Sequence, residues 1–215
     1  MEIVKGTHLE LPVILGFFCG MRRSEIIGLK WSAIDFEHNT FNIRHTVTTA
    51  TVNHKRELIF KDRTKNKSSR RSLPLEPLVR EKMLELKEKQ ERYKKLCKSS
   101  YNKEYLDYVF VNEIGDIITP DYVSRHFNDI LEKNGMRHIR FHDLRHTCAS
   151  LMIIQNVSMK EIQIWLGHSD FATTANIYAH IDSSAKVSAG RLMSELICGN
   201  TAKADDEETK KAVNG

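Results

Sequence analysis

The spacing of apolar residues changes period twice along this chain, marking a helical start, a strand-rich insert and a long helical remainder. His8 to Cys19 reads as a helix stopped at Gly20, and Ser24 stands where it could cap a short second helix ended by Gly28. After Trp31 the period shortens: Phe41, Ile43, His45 and Val47 alternate with polar residues, Glu57 to Phe60 repeats the pattern and Arg71 to Leu75 gives a third run. These predict an antiparallel three-stranded sheet, closed by Pro74 and Pro77. Helical spacing resumes over Leu78 to Leu96, with Lys and Glu on the outward face. Tyr108 to Val111 suggests a short strand, and Thr119-Pro120 a helix start, since proline suits the first helical position. Further helices are expected over Asp121 to Asn134, His142 to Gln155, Ser158 to Leu166 and Phe171 to Ala179, with another after Ser183. The expected class is mainly α with a small antiparallel three-stranded β-sheet (α+β).

At 215 residues, one domain plus a tail is the natural reading, and residues 201–215, small, polar and without an aromatic, predict a disordered end. Hydrophobic residues at 40% and charged residues at 28% exclude wholesale disorder and a membrane protein. The longest apolar stretch, Leu11 to Met21, is broken by Pro12, Gly16 and Gly20 and is too short to span a bilayer. Met1-Glu2 opens no signal peptide. Cys19, Cys97, Cys148 and Cys198 form no CxxC pair, which fits a reduced, cytoplasmic chain. Lysine and arginine number 33 against 28 acids, a net charge of +5 that favours a polyanionic partner.

Four patches concentrate cationic or nucleophilic side chains. Gly20-Met21-Arg22-Arg23-Ser24-Glu25 places an arginine at a helix entrance, where free N–H groups welcome an anion, although a surface arginine at a turn reads the same way. His54 to Arg71 holds eight basic residues against Glu57 and Asp62, a local charge of +6 that exceeds that of the whole chain. Thr64 to Ser69 reads there as a hairpin tip able to follow phosphates, or as a solubilising loop. Phe141-His142-Asp143-Leu144-Arg145-His146 puts His142 and Arg145 about 60° apart on a helix face beside Ala149, with Leu144, Cys148, Leu151 and Met152 toward the core. His142 and His146 have a zinc-like i, i+4 spacing, but no general-base glutamate or third ligand accompanies them, so no metal is expected. Finally, Gly167 stops a helix and leaves His168 at the corner, with Tyr178 on the following segment; alone, Tyr178 would read as a core residue.

Together these patches resemble the catalytic domain of the tyrosine recombinase (phage integrase) family. The shared pattern is G-x-R-x-S-E at Arg22, a hairpin lysine at Lys65, H-x-x-R at His142 and Arg145, a histidine after L-G at His168, and a tyrosine at Tyr178. The resemblance implies the DNA breaking-rejoining fold and a reaction in which Tyr178 attacks a DNA phosphate to form a 3′-phosphotyrosine. Arg22 and Arg145 would grip the phosphate, Lys65, with Lys67 as its rival, would protonate the leaving 5′ oxygen, and His142 and His168 would serve proton transfer and oxygen binding. It implies no cofactor. Glu25 is expected to be a structural carboxylate, and Arg23, Lys67, Arg70 and Arg71 to contact DNA. The expected partner is double-stranded DNA, bound by a homotetramer in the synaptic complex, with the isolated domain monomeric. The segment Ile181 to Ile197 is a candidate for docking on a neighbouring protomer or on its own domain. Residues 1–200 are expected to be the catalytic domain, with the family's N-terminal core-binding and arm-binding domains absent from this chain. A prophage or integrative mobile element is the expected setting. A type IB topoisomerase-like enzyme and a catalytically inactive DNA-binding module are the alternatives.

Overall fold

Leu11 through Gly16 are all buried, so helix α1 (Glu10–Phe17) hides nearly its whole circumference, as a run apolar on every side requires. It is the axis of the fold, packed against α2 (Arg23–Ile27), α3 (Pro77–Cys97) and α5 (Asp143–Ile154). The computed structural model describes residues 2–62 and 71–177. Lys65, Lys67, Arg70 and Tyr178, the expected helix after Ser183, the docking segment and the polar tail lie outside the described residues. Up to Thr174 the chain forms one compact unit.

The strand-rich insert departs from the expected single sheet. β1 (Ile34–Asp35), β2 (Thr40–Ile43) and β5 (Arg71–Pro74) form one antiparallel sheet in the order β1-β2-β5, while β3 (His45–Val52) and β4 (Lys55–Asp62) pair separately. The run read as one strand from Phe41 to Val47 breaks at Arg44, so its two halves join different sheets. Register is set by burial: Phe41 lies opposite Leu73 and Ile43 opposite Arg71, with Phe41 and Ile43 in the core. The β3–β4 hairpin turns at Asn53-His54, both with positive φ (48° and 62°), the two-residue turn whose twist matches its strands. The tip of this hairpin is therefore at Asn53-His54; Thr64 to Ser69, expected as a hairpin tip, lie outside the described residues. Only the root of the hairpin is buried, through Thr46 and Val47; its outer half is exposed.

The remaining helices follow the expected pattern closely. Pro77 starts α3, and Thr119 caps α4 (Pro120–Lys133) by accepting from the Tyr122 N–H at 3.2 Å. Ser158 and Glu161 form a capping box at the start of α6 (Met159–Leu166). Residues 171–177 are helical. Tyr108 to Val111 is not a strand but makes two isolated bridges, Lys30 to Tyr108 and Val111 to Ile117. On α5 the expected faces are rotated. Arg145 and Ala149 belong to the buried side with Leu144, Cys148 and Ile153, whereas Leu151 is exposed.

Gly28 joins the helical start to the hairpin root. A β-carbon there would stand 2.6 Å from the Thr46 Cα and 2.7 Å from the His45 carbonyl, backbone atoms with no freedom to yield. Gly28→Ala is therefore expected to destabilise the protein by about 1–3 kcal/mol, as overpacking of a filled core does. A urea midpoint unchanged from the parent chain would contradict this close packing.

Candidate functional site

The site is built on helix ends. Gly20, at φ +61°, turns the chain out of α1 and delivers Arg22 in an extended conformation as the residue that caps α2. The cap differs from the expected one at Ser24. Glu25 folds back so that its Oε2 accepts from the Arg22 backbone N–H at 2.8 Å, while Oε1 accepts from Arg22 Nη1 at 2.8 Å. Two further bonds reach the same carboxylate from Arg71, Nη1 to Oε1 at 3.3 Å and Nη2 to Oε2 at 3.0 Å. Glu25 is completely buried, and burial alone would raise its pKa; Arg71 and then Arg22 overcome that and hold it near 2. The expected structural role of Glu25 is the one this geometry gives it.

Arg145 enters from α5 with only 3% of its surface exposed. Its Nη1 donates to the Gly20 carbonyl, and its buried Nη2 has no hydrogen-bond partner among the described residues. Burial, together with repulsion from Arg22 and Arg71, lowers its pKa to about 9, although Glu25 pulls the other way. A guanidinium kept dry beside two others, with a donor unspent, is arranged to meet an anion.

Gly167 ends α6 in the left-handed conformation, φ +66°, and its carbonyl accepts from Arg22 Nη2 at 3.3 Å. His168 follows, buried, with Nδ1 2.9 Å from the hydroxyl of Thr174, itself fully buried. Burial and then Arg145, Arg22 and Arg71 depress the His168 pKa to about 4, so the ring is neutral at pH 7. His142 caps α5 at the exposed rim, its ring edge-on to His146 at 5.0 Å. Partial loss of water, then His146, Arg145, Arg22 and Arg140, lower its pKa as well. Arg22, His142, Arg145 and His168 thus converge from three separated stretches of sequence. Lys65 and Tyr178, expected in the same site, are outside the described residues.

Beside this cluster opens a cleft of about 710 Å³, bounded by the hairpin, the first turns of α4 and the approach to α5. Arg22, Arg23, Arg56, Arg140 and His142 line it. Arg23 donates to the Ser124 hydroxyl, and Arg56 pairs with Asp121 at 2.9 Å. Arg71, expected to contact DNA, is instead 8% exposed and turned inward to Glu25, because β5 directs it at the core beside Ile43. Thr174, Arg56 and Arg140 were not singled out by the sequence. Arg140 stands two residues before His142, and Arg56 in the basic run, but nothing in Thr174 itself marks it.

The lowered histidine gives a pH signature. His168 ionises near 6.5 in an unfolded chain and near 4 here, so between those values the unfolded state holds more protons. Stability is accordingly expected to fall as pH drops from about 6.5 toward 4, by at most about 1.4 kcal/mol per pH unit for this one group. His142 acts in the same direction. Glu25, depressed instead of raised, loses its contribution only at still lower pH, as the medium approaches 2. Thermal melts at about pH 7 and about pH 5 should separate, and His168→Gln should narrow the gap; equal gaps would contradict the assignment.

Residues 6–185 match the family model described as the phage integrase family. A tyrosine recombinase XerC-like protein of Caldanaerobacter subterraneus subsp. tengcongensis is 31% identical over 91% of this chain and 51% of its own length. The integrase of Staphylococcus phage L54a is 27% identical over 75% of this chain and 45% of its own. Among solved structures, the Tn1549 transposon integrase in complex with circular intermediate DNA superposes with TM-score 0.69 at 19% identity, covering 89% of this chain and 62% of that one. XerA recombinase gives 0.60 at 22%, over 87% and 59%. The α+β fold with its convergent arginines and histidines is thus of the tyrosine recombinase kind. The chain belongs to the phage integrase family. It spans about half the length of the curated relatives named here.

Proposed function

We propose that this chain carries the catalytic domain, residues 1–200, of a site-specific DNA recombinase that cuts and rejoins double-stranded DNA through a 3′-phosphotyrosine. The observation that supports it most is the convergence of Arg22, Arg145 and His168 around a buried guanidinium nitrogen with no hydrogen-bond partner among the described residues. In the reaction the Tyr178 oxygen forms a bond to phosphorus, the bond to the 5′ oxygen breaks, and that oxygen takes a proton. The energy of the broken bond is kept in the covalent link, and attack by a second 5′ hydroxyl reverses the step.

Charge gathers on the nonbridging oxygens in the transition state, and Arg22 and Arg145 are the donors to meet it. Neutral His168, if its Nδ1 accepts the Thr174 proton, presents Nε2–H as a further donor. His142, at the rim and with a lowered pKa, is neutral at pH 7 and suited to take the phenol proton. Lys65 is assigned as the acid for the 5′ oxygen. Arg23, Lys67 and Arg70 would contact the DNA backbone, and Arg56 and Arg140 on the cleft extend that basic lining. Assembly as a homotetramer on two duplexes, with Ile181 to Ile197 docking between protomers, completes the reading. A phage integrase and a transposon integrase among the relatives favour a prophage or integrative mobile element as its setting.

The test is a nicked duplex carrying the crossover site formed by the ends of the element that encodes the chain. A covalent protein–DNA adduct is expected, and its absence with the chain and any sequence-adjacent N-terminal domains supplied would sink the reading. A 5′-bridging phosphorothiolate, whose leaving group needs no proton, should restore cleavage to Lys65→Ala and not to Arg145→Ala. Rescue of Lys67→Ala alone would move the acid role to Lys67.

A further inference from the structure

Arg71 is out of reach of any DNA laid on the surface, yet it is the residue on which the arginine cluster depends. We propose that Arg71 is a positioning residue for the phosphate site: it holds Glu25, and through Glu25 and the turn at Gly167 it fixes the direction of Arg22 and the corner that carries His168. The inference rests on the recombinase reading for what Arg22 and His168 do, but its structural half stands alone.

The geometry is that of a bridge. One carboxylate, Glu25, takes paired bonds from the Arg71 fork on one side and both the backbone and Nη1 of Arg22 on the other. With Arg71 removed, Glu25 loses both of its bonds from β5. Arg71 also lies flat against Gly167. A β-carbon at Gly167 would stand 2.8 Å from Arg71 Nη1 and 3.1 Å from its Cδ, so the glycine is needed both for its left-handed turn and for the room the guanidinium takes. The Gly167 carbonyl in turn accepts from Arg22 Nη2. Arg22 is thus held at two nitrogens, by Glu25 and by Gly167, and Arg71 touches both holders.

Among the described residues, the charged groups facing Glu25 include Arg71 from β5, Arg22 from the start of α2 and Arg145 from α5. Arg71 supplies the largest of the effects that keep the buried carboxyl ionised. Without it the balance shifts toward burial, and the Glu25 carboxyl should take up its proton at a higher pH than in the parent chain. A protonated Glu25 no longer accepts both bonds from Arg22, and the side chain is free to swing. A displacement of about 1 Å in such a site can slow a reaction on the order of 100-fold.

The test combines the Glu25 side-chain carboxyl ¹³C resonance with the pH dependence of adduct formation on the nicked duplex, for the parent chain, Arg71→Met and Arg71→Lys. The parent should show no Glu25 inflection above about pH 5, whereas Arg71→Met should show one. Adduct formation by Arg71→Met should fall roughly 10- to 100-fold and acquire an acid limb at the pH of that inflection. Arg71→Lys, which restores charge without the planar fork, should recover part of the rate and move the limb back to lower pH. A uniform loss in both variants, with the shape of the pH profile and the Glu25 titration as in the parent, would overturn the inference in favour of mere packing. Should Arg71→Met fail to fold, Arg71→Lys against the parent decides the same question. If even the parent forms no adduct, the recombinase reading fails, while the carboxyl titration still reports on whether Arg71 holds Glu25.

Discussion

Tyr178→Phe is expected to leave no detectable covalent adduct on the nicked duplex, the largest effect any single substitution in this chain should have. The change deletes one oxygen, and that oxygen is the atom assigned to form the bond to phosphorus. The same deletion takes away little that binds DNA, since affinity for the duplex rests on many phosphate contacts spread over a basic surface. Noncovalent binding, read by mobility shift at fixed salt, should therefore stay within a few-fold of the parent. An adduct of undiminished yield in Tyr178→Phe would remove Tyr178 from the mechanism. Loss of binding together with the adduct would show that the tyrosine acts on structure instead.

Arg145 should show the opposite combination of effects on chemistry and on stability. Arg145→Met is expected to slow adduct formation by on the order of 100- to 1000-fold, the usual consequence of losing one donor aimed at developing charge. Its thermal midpoint, by contrast, should be no lower than that of the parent. The guanidinium is buried and repelled by Arg22 and Arg71, and its Nη2 has no hydrogen-bond partner among the described residues, so an apolar chain of similar length relieves more strain than it creates. The bond lost to the Gly20 carbonyl is the opposing term, and a net hydrogen bond contributes only about 1 kcal/mol. A variant that melts well below the parent would show that Arg145 is a structural strut. One that cleaves at the parental rate would show that it does not meet the phosphate.

Much of this architecture was legible in the chain because helices announce their ends. Thr119-Pro120, Ser158 with Glu161, and Gly167 each carry a local chemical reason for their position, and the structure has them where that reason puts them. The sheet was less legible. The alternation from Phe41 to Val47 is the same whether one strand continues or two meet at Arg44, and only the partner strands decide, by contacts that no local pattern encodes. The β3–β4 turn was missed for a related reason. Asn53-His54 hides its turn in two residues, both at positive φ, with no glycine to mark it. At the site, the motifs named Arg22, His142, Arg145 and His168, and the structure brings these together. What they could not show was who supports whom. Arg71 sits in a run of basic residues, and charge alone suggested a surface; its burial follows from the pairing of β5 with β2, which turns it toward Glu25.

The bonds that gather the arginines join residues far apart along the chain. Arg71 meets Glu25 across 46 residues, Arg145 reaches Gly20 across 125, and Arg22 reaches Gly167 across 145. The β3–β4 hairpin and the helix caps, in contrast, close over a few residues and can form as soon as those residues exist. A chain still emerging from the ribosome can therefore hold its scaffold and much of its basic surface while the cluster stays open, since α6 and the Gly167 turn arrive late. The cluster closes only after nearly the whole domain has been made and packed. Under the proposed function, unfinished copies would touch DNA without severing it, because the groups assigned to the phosphate are the last to be gathered.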